Sequence, residues 1–119
     1  MSRHRPGPDR DRLLAARLTG IARRHARWGA LDEDEKAAAV AELQEVADGR
    51  ADLLAEVAGL ALGTAEARGP DYAAMGQAVA DLCRAAGADE TLIPQRAEEG
   101  TRRAEARRMP PFSQPGRHP

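Results

Sequence analysis

Few residues in this sequence are of a type that does covalent chemistry, and their spacing assembles no catalytic group. The two serines, Ser2 and Ser113, lie close to the two ends of the chain. His25 is the only histidine away from the ends, and the single cysteine, Cys83, lies on a helical face beside Leu82. A serine or cysteine nucleophile needs a base within hydrogen-bond reach, and no pattern here supplies one. The sequence therefore predicts that the chain is not an enzyme and that Cys83 is a small core residue.

The spacing of ligand-type residues does not indicate a metal or cofactor site. The sequence lacks the H-x3-H, C-x2-C and H-E-x2-H patterns that bring zinc ligands together. The acidic run 32–35 would begin a calcium loop only with Gly at the sixth and Glu at the twelfth position, where this chain has Ala37 and Leu43. Acids favour the exposed N–H groups of a helix's first turn, so the run predicts a helix start. We expect no metal and no cofactor.

The charges are divided into three blocks along the chain. Residues 1–30 carry a net +6, residues 31–90 a net −10 and residues 91–119 a net +3, although the whole chain has a net charge of only −1. This division indicates contacts between segments, or contacts with a charged partner. Arginine outnumbers lysine seventeen to one, which is typical of GC-rich coding and predicts a high-GC bacterial source. The arginine excess by itself is therefore a weak sign of a selected guanidinium role.

Apolar spacing predicts a first helix that begins with Asp9 as its N-cap and stops at Gly29. Its stripe, with steps of three and four residues, consists of Leu14, Leu18, Ile21, His25 and Trp28. In this interpretation His25 is a boundary histidine that covers apolar surface. Arginines lie on the other faces, and alanines on both sides leave open which face packs.

Two further helices are predicted in the acidic middle of the chain. The second starts near Asp32 and ends at Asp48-Gly49, and Val40, Leu43 and Ala47 share one of its faces. The third runs from about Arg50 to Leu62 or beyond. Its inward residues are Leu53, Leu54, Val57, Leu60 and Ala61. Glycines at both ends of the segment 59–63 predict close packing against another helix, with dimerisation as the alternative.

The last two predicted helices are separated by glycine and proline signals. The fourth follows the break at Gly69-Pro70-Asp71 and ends at Gly87. Its inward stripe consists of Tyr72, Met75, Val79, Leu82 and Ala86. The fifth starts close to Pro94, because only a first turn tolerates proline, and runs to about Arg108.

We predict an all-α protein, a small bundle or orthogonal array of four to five short helices with disordered N- and C-terminal tails. The predicted domains are a flexible N-terminal arm over 1–8, a single helical domain over 9–108 and a Pro-rich disordered tail over 109–119. Leu, Ile, Val and Phe make up only 18 of the 119 residues, so the core is small. A second copy or another partner would add apolar burial that a lone monomer lacks.

The sequence predicts a cytoplasmic protein without a membrane segment. No apolar run approaches the roughly 20 residues that span a bilayer. No hydrophobic signal-peptide segment follows the basic start. Cys83 has no second cysteine to pair with, which fits a reducing compartment.

The first functional hypothesis is a small non-catalytic protein that acts through protein–protein interaction, in a regulatory or adaptor role. The partner is an unidentified protein or a second copy. Trp28 is the expected anchor, because large aromatic side chains dominate binding energy at interfaces. The alternative for Trp28 is a role as the main core residue of the fold. Phe112, displayed among prolines after the last helix, either docks into a groove on a partner or belongs to a frayed end.

The alternative hypothesis is an accessory nucleic-acid-binding protein that uses the arginine-rich face of the first helix. Its expected contacts are Arg17, Arg23, Arg24 and Arg27. The acidic middle of the chain opposes this reading, as does the lack of aromatic side chains for base stacking. The basic helix would otherwise pack against the chain's own acidic helices or remain solvated. A third hypothesis, an enzyme or ligand carrier built around His25, requires a pocket beside that residue.

Overall fold

The computed structural model describes residues 8–27 and 31–108 and, of Pro8 and Arg108, the backbone alone. Its five helices are α1 (Pro8–His25), α2 (Glu33–Ala47), α3 (Ala51–Arg68), α4 (Pro70–Ala85) and α5 (Ile93–Arg108). These ranges contain no β-strand, which confirms the prediction of an all-α protein with four to five short helices. No helix within them is both long and apolar enough to cross a bilayer. Trp28, Phe112 and nearly all of the predicted arm and tail lie outside the described residues.

α1 differs from its predicted bounds at both ends. It begins at Pro8, where the fixed φ of proline suits the first position of a helix. Asp9 therefore lies inside the first turn, and its assignment as the N-cap is wrong. Pro8, assigned from the sequence to the N-terminal arm, is helical. The helix ends at His25, and the predicted stop at Gly29 lies outside the described residues.

The bounds of α2 follow the predicted signals closely. Asp32 is the N-cap, and its Oδ1 accepts a hydrogen bond of 2.7 Å from the backbone N–H of Glu35. The Glu35 carboxylate in turn accepts a bond of 3.1 Å from the backbone N–H of Asp32. This capping box satisfies two N–H groups that the first turn leaves without partners. At the other end Asp48 adopts a left-handed conformation with φ of 49°, and Gly49 follows with φ of 84°.

α3 lies at the centre of the fold and contacts each of the other helices. Leu53, Leu54 and Val57 are buried as predicted, whereas Leu60 and Ala61 are only partly buried. The largest fully buried side chains of the described ranges are Leu18, Leu43, Leu82, Val79 and Cys83. Burial raises the pKa of the Cys83 thiol to about 12, and its prediction as a core residue is confirmed. No polar or charged residue of these ranges is fully buried, so apolar contacts hold the core together.

Glycines allow α5 to lie directly against the backbone of α3. A Cβ atom on Gly63 would overlap the carbonyl oxygen of Ala97, and one on Gly59 would overlap the Arg96 side chain. From the opposite side, a Cβ on Gly100 would lie 2.8 Å from the carbonyl oxygen of Leu60. The prediction that the segment 59–63 packs closely against another helix is confirmed, and that helix is α5.

α4 begins at Pro70, directly after Gly69, whose φ of 108° permits a sharp change of direction after α3. Val79 and Leu82 are buried as the predicted stripe requires. At the start of the helix the prediction is wrong, because the Tyr72 side chain is 45% exposed. The apolar stripe of α4 therefore continues beyond the part that other helices cover.

Candidate interaction surface

A groove with a volume of about 340 Å³ runs along the surface between α1, α3 and α4. Its apolar lining consists of Val57, Leu60, Ala61, Ala65, Met75 and Val79. Val57 and Val79 belong to the buried core, whereas Leu60 and Met75 are partly exposed. The groove is thus a place where the apolar interior of the bundle reaches the surface, and we call it the α3–α4 groove.

The periodicity of α3 determines the length of the α3–α4 groove. α3 contributes lining residues at positions 57, 60, 61, 64, 65 and 68, which is the spacing of one helical face. From Val57 to Arg68 that face extends for about 16 Å, or about three turns. The groove therefore has the length of a short helical segment.

Gly76 on α4 forms the bottom of the groove by bringing α4 close to α3. A Cβ atom at this position would lie 2.6 Å from the Cβ of Ala65 and 2.9 Å from the carbonyl oxygen of Ala61. Close approach of two backbones leaves no room for side chains between them. The larger side chains on either side, Leu60 and Met75, form the walls.

Three guanidinium groups and a phenol ring lie around this apolar lining. Arg23 comes from α1, Arg68 from the last turn of α3 and Arg107 from the last turn of α5. The lining residues include no carboxylate, and within the described ranges none of the three arginines has a carboxylate partner. The guanidinium of Arg68 lies 5.0 Å from the centroid of the Tyr72 ring, a cation–π geometry. The groove therefore combines an apolar interior with an uncompensated positive rim.

Two of the four arginines predicted to bind nucleic acid have different neighbours in the structure. Arg23 lines the α3–α4 groove, whereas Nη2 of the adjacent Arg24 lies 2.8 Å from each carboxylate oxygen of Glu42 on α2. Consecutive residues of an α-helix point about 100° apart, so the two side chains reach different neighbours. Arg17 on α1 and Arg27 in the turn that follows α1 are both exposed.

His25 takes part in the same contact between α1 and α2. Its Nε2 lies 2.9 Å from Oε1 of Glu42. Hydrogen bonds from His25 and then from Arg24 lower the pKa of the Glu42 carboxyl. The third hypothesis requires a pocket beside His25, but this residue is not part of the groove lining. The side chain connects two helices.

A second ionic contact joins α1 to the start of α3. The Arg50 guanidinium donates two hydrogen bonds of 3.1 Å to the Asp11 carboxylate, and others of 2.9 and 3.0 Å to Asp52. Hydrogen bonds to Arg50 lower the pKa of both carboxyl groups, and the pKa of Arg50 is raised. Arg24–Glu42 joins a base of the basic first block to an acid of the acidic middle block, as the charge division predicts. Arg50–Asp11 has the opposite polarity, with the base in the acidic block and the acid in the basic one.

The described residues contain no group of three or more His, Cys, Asp or Glu side chains placed to hold a metal ion. In the α3–α4 groove the hydroxyl-bearing side chains are Thr19, Thr64 and Tyr72, and the Thr19 hydroxyl donates to the backbone carbonyl of Ala15 at 2.8 Å. Apolar groups fit the interior, and negative charge fits the rim.

Comparisons with protein families, with characterised proteins and with solved structures found no match to this chain. The α3–α4 groove is therefore identified as a candidate site from its geometry alone. Sequence reasoning missed Arg68 and Arg107, because they lie far apart in the chain and only the packing of α5 on α3 brings them to one groove. The sequence contains one signal for this groove. The apolar face of α3 continues beyond the residues that the neighbouring helices bury.

Proposed function

We propose that this protein is non-catalytic and acts by binding another protein, in a regulatory or adaptor role, through the α3–α4 groove. The observation that carries the proposal is the groove's apolar interior with its uncompensated rim of Arg23, Arg68 and Arg107. Interfaces are enriched in aromatic residues and arginine, and Arg68 and Tyr72 lie together here. Trp28 and Phe112, which lie outside the described residues, remain predicted contacts with the partner. A cytoplasmic location is part of the proposal and is supported by the unpaired, buried Cys83.

Capture from a lysate of the source organism tests whether the groove carries the function. The full chain is immobilised alongside the double variant Arg68→Glu/Arg107→Glu and a control, Arg12→Glu/Arg102→Glu. All four positions are exposed, and the control positions lie outside the groove lining, so both variants change the net charge equally. We expect the wild type and the control to retain a protein that the groove variant loses. Equal retention by the groove variant would exclude the groove as the contact surface.

The nucleic-acid alternative has less support from the geometry. Arg24 is engaged with Glu42, and Arg23 turns toward the α3–α4 groove. Arg17 on α1 and Arg27 in the turn that follows α1 are exposed. Affinity for nucleic acid grows with the number of cations that contact phosphates, and Arg24 already has a carboxylate partner in this chain. We therefore place protein binding first.

A further inference from the structure

We propose that the occupant of the α3–α4 groove is an acidic amphipathic helix of about three turns from a partner protein. It would lie along α3 as an additional helix of the bundle. This inference rests on the proposed function and specifies the chemistry of the partner. Helices that dock in grooves do so through apolar side chains spaced three and four residues apart.

The shape of the groove fits a helix. α3 presents one continuous face of about three turns, and α4 faces it with Tyr72, Met75 and Val79. Two neighbouring helices with parallel stripes leave a channel that a third helix fills by ridges-into-grooves packing. The apolar stripe of the incoming helix would then contact Leu60 and Met75, which are partly exposed in the free chain.

The open side of the groove favours a macromolecule over a small amphiphile. Tyr72, at the edge of this groove, is 45% exposed, so the groove is open on that side, whereas small-molecule sites enclose their ligand and bury about 70–90% of its surface. Tyr72 and Leu13 are the exposed large hydrophobic side chains of the described ranges, and of these two Tyr72 lines the α3–α4 groove. A helix lying over the groove would cover Tyr72 together with its apolar neighbours.

The charge of the rim determines the charge of the partner. Arg23, Arg68 and Arg107 surround the apolar lining, and that lining contains no acid. Guanidinium groups bind carboxylates with two parallel hydrogen bonds. Glutamate or aspartate on both sides of the partner's apolar stripe would place carboxylates opposite these arginines.

Two occupants from this chain itself fit the groove less well. The tail 109–119 contains Arg117 and no acid, so its charge opposes entry. α2 is acidic, but its apolar residues Ala39, Leu43 and Ala47 are already buried in the bundle. A second copy would therefore have to unfold α2 before offering it to the groove.

Nuclear magnetic resonance of the full, methyl-labelled chain with three synthetic peptides of about 14 residues, or about four turns, tests the inference. The first peptide has leucines at helical spacing flanked by glutamates, the second has the same leucines flanked by lysines, and the third is the first in shuffled order. We expect the first to shift the methyl signals of Met75, Val57 and Val79. The other two should bind at least about tenfold more weakly, because one loses charge complementarity and the other loses the stripe.

Charge exchange separates recognition from misfolding. Arg68→Glu/Arg107→Glu should weaken binding of the glutamate-flanked peptide by at least about tenfold and strengthen binding of the lysine-flanked peptide. The control Arg12→Glu/Arg102→Glu should leave both affinities within about twofold, since its charges lie outside the groove. If the groove variant binds the lysine-flanked peptide, its groove is still formed, so the variant is folded.

Other occupants give different results, and each overturns the inference. Dodecanoate could shift the Met75 signal when no helical peptide does, which would identify a small amphiphile. Phe112→Ala could shift it without added peptide, which would identify the chain's own tail. A dependence of the same signals on protein concentration alone would identify a second copy. If capture depends on the groove but no helical peptide binds, the helix is excluded and the proposed function stands.

Discussion

Arg24 on α1 and Glu42 on α2 are joined by contacts of 2.8 Å to both carboxylate oxygens. The neighbouring residue Arg23 instead lines the α3–α4 groove. Arg24 is therefore paired across the contact between α1 and α2, whereas Arg23, the residue before it, faces the groove. The directions of the two side chains from the helix thus give neighbouring arginines different surroundings.

The Arg24–Glu42 contact predicts a small coupled loss of stability. We expect Glu42→Gln and Arg24→Gln each to lower the melting temperature slightly, because exposed ion pairs contribute little. The double variant should lose less than the sum of the two, since both remove the same contact. Thermal unfolding followed by circular dichroism measures all three. Strict additivity would show that the two side chains are not coupled in solution.

The lowered pKa values of Asp11, Asp52 and Glu42 predict that the chain is destabilised by acid. Their ordinary values are 3.8 for Asp and 4.5 for Glu, and in the folded chain all three lie lower. A carboxyl with a lower pKa in the folded state stabilises it above the ordinary value, and this contribution is lost as pH falls through the folded value. The free energy of unfolding should therefore hold above about pH 5 and fall below about pH 4.

Arg50→Gln provides the matched test of that pH dependence. Urea unfolding between neutral pH and pH 2 should show a flatter acid decline, because Asp11 and Asp52 lose the guanidinium that lowers their pKa. Arg12→Gln removes an exposed arginine without a carboxylate partner in the described ranges. Its acid profile should follow that of the wild type. Identical profiles for both variants would contradict the role of Arg50.

Two Gly→Ala changes should have opposite effects on stability, because one glycine lies in the contact between α3 and α5 and the other does not. Gly63→Ala forces a methyl group into the Ala97 carbonyl and should destabilise the fold by about 1–3 kcal/mol, the usual cost of overpacking. Gly20→Ala meets nothing within 4 Å. It should stabilise α1 by about 0.5–1 kcal/mol, because alanine favours a helix interior. Urea unfolding of both variants gives the sign of the change in the free energy of unfolding. A Gly63→Ala variant more stable than the wild type would refute the close packing of α3 and α5.

The burial of Cys83 predicts slow reaction with thiol reagents in the native protein. Its pKa is raised to about 12 by burial, so at neutral pH almost no thiolate is present, and the thiolate is the reactive form. Reaction with a disulfide reagent should be slow in buffer and fast in urea. Fast labelling of the folded chain would contradict the burial of this residue.

Titration against labelled duplex DNA at several salt concentrations decides the nucleic-acid alternative. We expect weak binding at low salt that disappears as salt increases, because Arg24 already pairs with Glu42 and the middle of the chain is acidic. Arg17→Glu/Arg27→Glu removes cations without changing the groove lining. Tight binding with a steep salt dependence that this variant abolishes would favour nucleic acid over a protein partner.

Local signals in the sequence predict much of the fold, because they act within a few residues. Asp32 and Glu35 form their capping box from side chains three positions apart, and Asp48-Gly49 ends the same helix through backbone conformation. Tyr72 shows where such reasoning stops. Periodicity places it on an apolar face, but whether a neighbour covers that face depends on the packing of distant helices. The same holds for the groove, whose rim combines residues from α1, α3 and α5.

Among the described helices, α5 contacts α3 alone. A helix held through a single interface can detach as a unit at a lower free energy than global unfolding. Amide hydrogen exchange should then report one shared opening free energy for α5, below that of α3. Arg107 departs with α5, so each opening removes one of the three cations around the groove. The three glycines that let two backbones meet therefore govern the fraction of time during which the binding surface is whole.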